Sequence, residues 1–317
     1  WVGNERSAIG ASCTLSAITL LSLSGPLFAA GQSSYVRRTL GKDDLTRALA
    51  MLATIEWLTF TTGASAGAAL LLSSGIRTVV VLDIISFLGS AAIIATRMRD
   101  TVAPGPPSPG TRTTQAKGPL PARVGCLLAS IAVLNLGAGV INLYPNIVAG
   151  QFPGPGRPGL GALYLANGIG GLLGAIVAAH LAPRASPTRL MRLAAGLTAL
   201  SLAGMTQVST RLWPLLASSS MLLWGQVFAV AAQADVLTLH PPSEAGRASG
   251  RFMGATVAGI AGNALLAATV IPHGGAGFVA FVSACAGMAA LSLLSMLRFS
   301  GQSTMAPQRA SQARERA

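Results

Sequence analysis

Pro26–Leu52 reads PLFAAGQSSYVRRTLGKDDLTRALAML, and Gln226–Met253 reads QVFAVAAQADVLTLHPPSEAGRASGRFM. Set one on the other, Phe28-Ala29 falls on Phe228-Ala229 and Arg47-Ala48 on Arg247-Ala248. In each block an apolar run leads into a basic segment. Two further apolar runs follow, closing at Arg99 or Arg298. The offset stays near 200 residues. The shared layout marks a parallel internal repeat, and it divides the rest of the chain.

The composition around the repeat is that of a membrane protein. Of 317 residues, 51% are hydrophobic and 10% charged, and the mean hydropathy is +0.59. A soluble domain of ordinary composition carries about 25% charged residues, so this chain cannot clothe itself in polar surface. Crossing a bilayer as helix takes about 20 apolar residues. Nine runs qualify: 8–31, 48–72, 78–97, 124–149, 159–182, 189–208, 212–237, 252–271 and 276–297. The expected class is all-α, a polytopic helix bundle. One long interruption, MRDTVAPGPPSPGTRTTQAKGPLPAR from Met98 to Arg123, is rich in Pro, which resists helix and has no N–H to donate. The expected division is a three-span bundle within 1–97, a cytoplasmic linker at 98–123, a six-helix bundle at 124–298 and a disordered cytoplasmic tail at 299–317.

Charge orients the spans. A net charge of +13 raises the question of nucleic acid. The basic residues, however, sit in short segments between apolar runs. On one side lie 18 of the 22 Lys and Arg, among them Arg37, Arg38, Arg99, Arg184 and Arg298; Arg6, Arg77, Arg157 and Arg211 lie on the other. Cytoplasmic loops are enriched in these residues, so the C-terminus is expected inside and no nucleic-acid partner is expected. Reading 8–31 as a secretory signal would put Arg37, Arg38, Lys42 and Arg47 outside, against that rule. Cys13, Cys126 and Cys285 each lie in apolar runs without metal-ligand spacing, which fits small buried hydrophobes. No metal and no cofactor is expected.

Three runs (124–208) precede the second repeat block and none precedes the first, so the repeat predicts three further spans upstream of Trp1. At this point the chain resembles the major facilitator superfamily of transporters (MFS), in its bacterial drug- and siderophore-exporter branch. GPLFAAGQSSYV (25–36) resembles the end of the family's fourth helix, and KDDLTRALAML (42–52) the start of the fifth. VVVLDIISFLGSA (79–91) resembles the sixth, with the family's Asp at Asp83. GALYLANGIGGLLGAIVAAHLAPRASPTRLMRL (161–193) resembles the eighth and its basic turn, and LHPPSEAGRASGRFMGA (239–255) the loop into the eleventh, with Gly246-Arg247 on the family's Gly-Arg. The resemblance covers 8–298 and implies an MFS fold with about nine transmembrane helices present, the last nine of twelve, and the first three missing.

Two motifs invite other readings. Gly63, Ser65 and Gly67 in TTGASAGAALLL form G-x-S-x-G, which can mark a nucleophile elbow. There is no strand signal before it, and His180, His240 and His273 all lie near run ends. The small-xxx-small spacing of Gly63 and Gly67 suits close helix packing instead. The resemblance also places the family's exporter motif G-P-x-x-G-G at Gly63–Ala68, where its Pro and second Gly are replaced. NGIGGLLGA (167–175) lacks the strand and third Gly of a dinucleotide loop, so close packing is expected there too. No catalytic residue is assigned.

Ionisable groups within apolar runs point to function. Glu56 either takes a proton or a substrate cation, or pairs with polar neighbours for structure. Asp83 suits packing or an interhelical hydrogen bond. Asp235 either pairs with Arg247 or Arg251 at an inner gate or ends its helix in solvent. In the family, helices four, seven and ten face a central cavity, which brings Gln32, Asn135, Asn142, Tyr144, Trp224, Gln226 and Gln233 forward as substrate contacts. Pro145 marks a kink in its run. The expected function is secondary transport of a small molecule across the bacterial inner membrane, as a proton-coupled exporter with the bilayer, a substrate and protons as its partners. The alternatives are a membrane-embedded enzyme and a non-transporting truncated relative. Oligomeric state is not legible.

Overall fold

In hydrocarbon no water is at hand to bond a free N–H or C=O, so a single spanning segment is stable as helix. The computed structural model describes residues 25–40, 42–97, 122–151, 160–207, 212–270 and 274–315, and among these all regular structure is helical. Helix α1 covers 25–39. It is followed by α2 (Lys42–Arg97), α3 (Ala122–Ala138), α4 (Tyr144–Gln151), α5 (Leu160–Leu181), α6 (Pro187–Gly204), α7 (Leu212–Thr238), α8 (Ala245–Val270) and α9 (Gly274–Glu315). Two 3-10 turns, Gly139–Asn142 and Pro242–Glu244, join α3 to α4 and lead into α8.

Six stretches are long and apolar enough to cross a membrane: Arg77–Thr96, Ala122–Val148, Leu160–Leu181, Leu212–Thr238, Pro242–Val270 and Ala276–Leu297. The expected run 48–72 lies in the helical first part of α2, and 189–208 lies largely in α6. Neither is among the six. The first carries Glu56 and several Thr, and the second has Arg189 and Arg192 in its opening turns. The expected run 8–31 is described only from residue 25, and the expected linker falls almost wholly outside the described residues. Helix α9 continues to Glu315, whereas the sequence suggested a disordered tail from 299. Ala, Gln, Met and Arg recur there, and all are good helix formers.

Helix α2 is two helices joined at Gly75, whose φ of 75° and ψ of 170° are open to glycine and strained for other residues. From α3 onward the helices form a ring of neighbours: α8 on α3, α3 on α9, α9 on α6, α6 on α7 and α7 on α5, with α2 packed against α5. Outward faces are apolar. On α5, Leu165, Ile169, Leu173 and Ile176 form an exposed stripe at helical spacing, a surface that hydrocarbon accepts and water would not.

Glycines decide how closely α5 approaches its neighbours. A Cβ at Gly168 would strike Thr61, and one at Gly171 would strike the Trp57 indole, both on α2. On another face, a Cβ at Gly170 or Gly174 would strike the α7 backbone at Ser219 or Leu223. The glycine-rich run is thus a packing element with two flat faces, as the spacing suggested. Gly63 and Gly67 are different. A Cβ at either has no atom within 4 Å, so among the described residues the close approach expected there is made by Trp57 and Thr61. The backbone from Gly63 to Gly67 is continuous helix without the turn an elbow needs.

The break between α3 and α4 has an identifiable cause. Pro145 has no N–H for the carbonyl four residues earlier, and its ring crowds that carbonyl. The chain tightens into Gly139–Asn142 and restarts as α4. The Asn263 amide of α8 donates to the Leu136 carbonyl at 2.6 Å, satisfying a group near the end of α3. It fits because residue 139 is glycine: a Cβ there would lie 2.7 Å from that of Asn263. Asn263→Ala is expected to lower stability by about 1–2 kcal/mol through the unpaired carbonyl. Thr269→Ala, which removes only a bond to the carbonyl of Leu266 on its own helix, is expected to change little. Thermal unfolding of both variants in detergent checks this; equal melting temperatures would refute the role given to Asn263.

Candidate functional site

A cavity of about 180 Å³ opens where α1, α2, α3, α7 and α8 converge. Its lining lies near the middle of several spans: Ile131 and Asn135 within Ala122–Val148, Gln226 to Val230 within Leu212–Thr238, and Phe252 to Thr256 within Pro242–Val270. Helical periodicity brings the polar groups to one place. On α2, Leu49, Leu52, Ala53 and Glu56 recur every three or four residues and share a face. On α7 the corresponding residues are Gln226, Phe228, Ala229, Val230 and Gln233, and on α1 they are Ala29, Gln32 and Ser33.

Four of the seven substrate contacts expected from sequence meet here, Gln32, Asn135, Gln226 and Gln233, and Glu56 joins them. Glu56 and Gln32 keep exposed side chains at the cavity, and Glu56 has no hydrogen bond or ion pair among the described residues. The Asn135 amide donates to the Ile131 carbonyl of its own helix at 2.9 Å, which leaves its side-chain oxygen to the cavity.

The other three lie elsewhere. Tyr144 is fully buried and stacks on Phe278 with ring centroids 6.0 Å apart. Its position follows from the restart of the helix at that residue, which turns it into the core between α4 and α9. Trp224 packs against the core beside the cavity lining without entering it. Asn142 ends the 3-10 turn with its side chain exposed.

One end of the cavity is closed by α1 against α7. The Gln233 amide donates to the Ser33 hydroxyl at 2.7 Å. One turn further on, Arg37 Nε donates to the Leu237 carbonyl at 3.1 Å. Each bond joins residues 200 apart, the offset of the repeat. The two contacts lie four residues apart on each helix. Arg37 is only 4% exposed. Its guanidinium sits at the end of α7, where unfilled carbonyls and the helix dipole favour a cation.

Beyond this contact lies a charged layer whose pairing differs from expectation. Asp235 faces Arg123 at the start of α3, with 3.8 Å between them, and pairs with neither Arg247 nor Arg251. A separate contact between α3 and α7 brings Arg123 to Asp235. Arg251 instead reaches the His240 ring at 3.5 Å. The other ring nitrogen of His240, Nδ1, lies 2.8 Å from the Val236 carbonyl. A carbonyl only accepts, so Nδ1 carries the proton and Nε2 accepts from Arg251. Arg247 is exposed. Asp83 is also exposed, in a stretch of α2 with no buried residue, and its carbonyl accepts from Ser86 at 2.8 Å.

The roles of Ser33 and Arg37 were missed in sequence, where Arg37 counted only toward topology. The signal was available: both lie at the repeat offset from residues of the matching block. Among the described residues no group of three His, Cys, Asp or Glu could hold a metal ion.

A sequence model of the Major Facilitator Superfamily matches residues 13–250. A search of the curated proteins finds no match.

With Cys13, Cys126 and Cys285 replaced, a Ser33→Cys/Gln233→Cys pair is expected to cross-link through a short bifunctional thiol reagent in membranes. Ser33→Cys paired with Leu265→Cys, on an outward face, is expected to stay uncross-linked. Equal yields from the two pairs, read as a mobility shift, would remove the α1–α7 contact.

Proposed function

The chain belongs to the Major Facilitator Superfamily, a family of secondary transporters rather than enzymes, and from that premise we propose that it exports a small molecule by proton-coupled alternating access around the α1–α2–α3–α7–α8 cavity. The observation that carries this reading is the placement of the cavity. It draws polar side chains from both repeat blocks to mid-span, and the contact of α1 with α7 shuts one of its ends. In transporters built from repeats, substrate binds near the repeat interface and one bundle rocks against the other.

In this cycle Gln233–Ser33 and Arg37–Leu237 form the inner gate. They lie on the side of the Arg-rich segments, which the charge asymmetry puts in the cytoplasm. The glycine faces of α5 against Trp57 and Thr61 are the surface on which the bundles shift. Glu56, without a partner among the described residues, is the proton carrier: its carboxylate is costly in hydrocarbon and is relieved by protonation. The drug- and siderophore-exporter resemblance, the C-terminus inside and the bacterial inner membrane complete the proposal. On the same reading, the described helices from α1 onward correspond to the family's fourth to twelfth.

Proteoliposomes loaded with a panel of anionic, neutral and cationic dyes, and given a pH gradient, test the transport reading. Gradient-dependent movement of at least one dye is expected. Movement indifferent to the gradient would sink proton coupling, and no movement of any dye would sink transport. For the gate, Arg37→Ala is expected to raise labelling of a Gln233→Cys thiol by an impermeant cytoplasmic reagent severalfold. Unchanged labelling would take Arg37 out of the gate.

A further inference from the structure

Two complementary groups at the α2–α5 contact stand close together without meeting. Asn167 of α5 is 4% exposed, and its side-chain oxygen accepts no hydrogen bond among the described residues. Trp57 of α2 is half-buried and makes an edge contact with Phe60, but its indole N–H donates to none of the described residues. One is an acceptor without a donor, the other a donor without an acceptor. Hydrocarbon offers no water to either, and a buried polar group left unmade penalises the arrangement that leaves it so.

The register of the two helices fixes the path between them. The Trp57 indole rests on Gly171, and Thr61 rests on Gly168, so α2 and α5 run antiparallel. Asn167 lies four residues before Gly171, on nearly the same face of α5. It is therefore ahead of the indole in the direction from Trp57 to Thr61, by one turn of about 5.4 Å. Residues 168 and 171 carry no Cβ to obstruct that path. A shift of α2 along α5 by one turn or less brings the donor to the acceptor. Asn167 also lies in the half of α5 remote from Arg184 and Arg189, whereas the α1–α7 contact lies on the side of the Arg-rich segments. Rocking that opens one end closes the other.

We infer that Trp57 and Asn167 are the latch of the second state: when the α1–α7 contact opens, α2 advances along α5 and the Trp57 N–H donates to the Asn167 side-chain oxygen. This rests on the alternating-access reading, and it adds the bond that holds the gate-open state. The orphaned oxygen penalises the arrangement with the gate shut and is satisfied in the other, so the pair biases the equilibrium between them.

The test uses the full chain of residues 1–317, with Cys13, Cys126 and Cys285 replaced, in sealed inside-out vesicles. A Gln233→Cys thiol at the α1–α7 contact is shielded while that contact is closed, so its rate of labelling by an impermeant reagent reads the gate-open population. Trp57→Phe keeps an aromatic ring and loses only the N–H donor; it is expected to slow labelling about fivefold, the effect of one lost hydrogen bond. Asn167→Leu is expected to slow it at least as much, since it also relieves the closed state of its orphaned oxygen. Adding Trp57→Phe to Asn167→Leu is expected to change nothing further, because the bond is already gone. Circular dichroism and gel filtration show whether each variant is folded, and Asn167→Ala takes the place of Asn167→Leu if the latter is not.

Unchanged or faster labelling in a folded Trp57→Phe variant would overturn the inference, and so would a further slowing when it is added to Asn167→Leu. A parent thiol that is never labelled would remove the second state and the latch with it. The failures separate cleanly. Gradient-driven dye movement with labelling indifferent to Trp57→Phe leaves transport standing and removes the latch. Coupled slowing by the two substitutions without movement of any dye leaves the latch standing and removes transport.

Discussion

A backbone in hydrocarbon must find all its hydrogen bonds within the protein, and most features of this structure answer that demand. Helices satisfy it along each span. Several hydroxyls bond back to their own helix, as Thr54 does to the Ala50 carbonyl and Thr61 to that of Trp57. Where Pro145 interrupts a helix, the Leu136 carbonyl near the break is met by Asn263 from a neighbouring helix. The glycine at 139 is the steric condition for that bond. Sequence chemistry at one point therefore fixes packing between α3 and α8.

The same solvent removes the usual force that holds helices together. Lipid tails are as apolar as leucine, so association depends on close van der Waals contact and interhelical hydrogen bonds. Helix α5 shows the first means, with separate glycine faces for α2 and α7. The contact of α3 with α9 shows the second: the Ser130 and Ser295 hydroxyls lie 2.7 Å apart, and the Ser292 hydroxyl donates to the Ser130 carbonyl at 2.9 Å. A flat glycine face lets neighbouring surfaces slide, whereas a hydrogen-bonded seam holds its partners fixed. Glycine contacts join α5 both to α2 and to α7, and the serine seam joins α3 to α9.

Polar groups at mid-span make sense in this setting. An amide or carboxylate there is expensive unless a cavity or a partner receives it. Asn263 has a carbonyl partner, and Gln233 has Ser33. Glu56, Gln32 and Gln226 have the cavity. The contact of α1 with α7 follows the repeat offset: one serine–glutamine contact and one arginine at a helix end join positions 200 residues apart. The matching residues differ in kind: an amide donates to a hydroxyl, and a guanidinium donates to a backbone carbonyl.

Composition and run length determined the all-helical, polytopic class, because the bilayer admits few alternatives to a long apolar helix. Repeat offset, basic loops and motif order indicated the family. Glu56 came forward as an ionisable group within an apolar run, and Gln32, Asn135 and Gln226 through the family resemblance, which implies that their helices face a cavity; the structure brings these four to one lining. Sequence was not enough for Tyr144 and Trp224, because period alone does not say which of several neighbours a face meets. Nor could it pair Asp235 with Arg123, or distinguish Gly171, where a Cβ would strike Trp57, from Gly63, where a Cβ would meet no atom within 4 Å among the described residues. Those outcomes depend on the order of helices around the ring and the rotation of each about its axis. Only the tertiary structure decided them, because contacts between spans are set by three-dimensional packing that a one-dimensional pattern does not record.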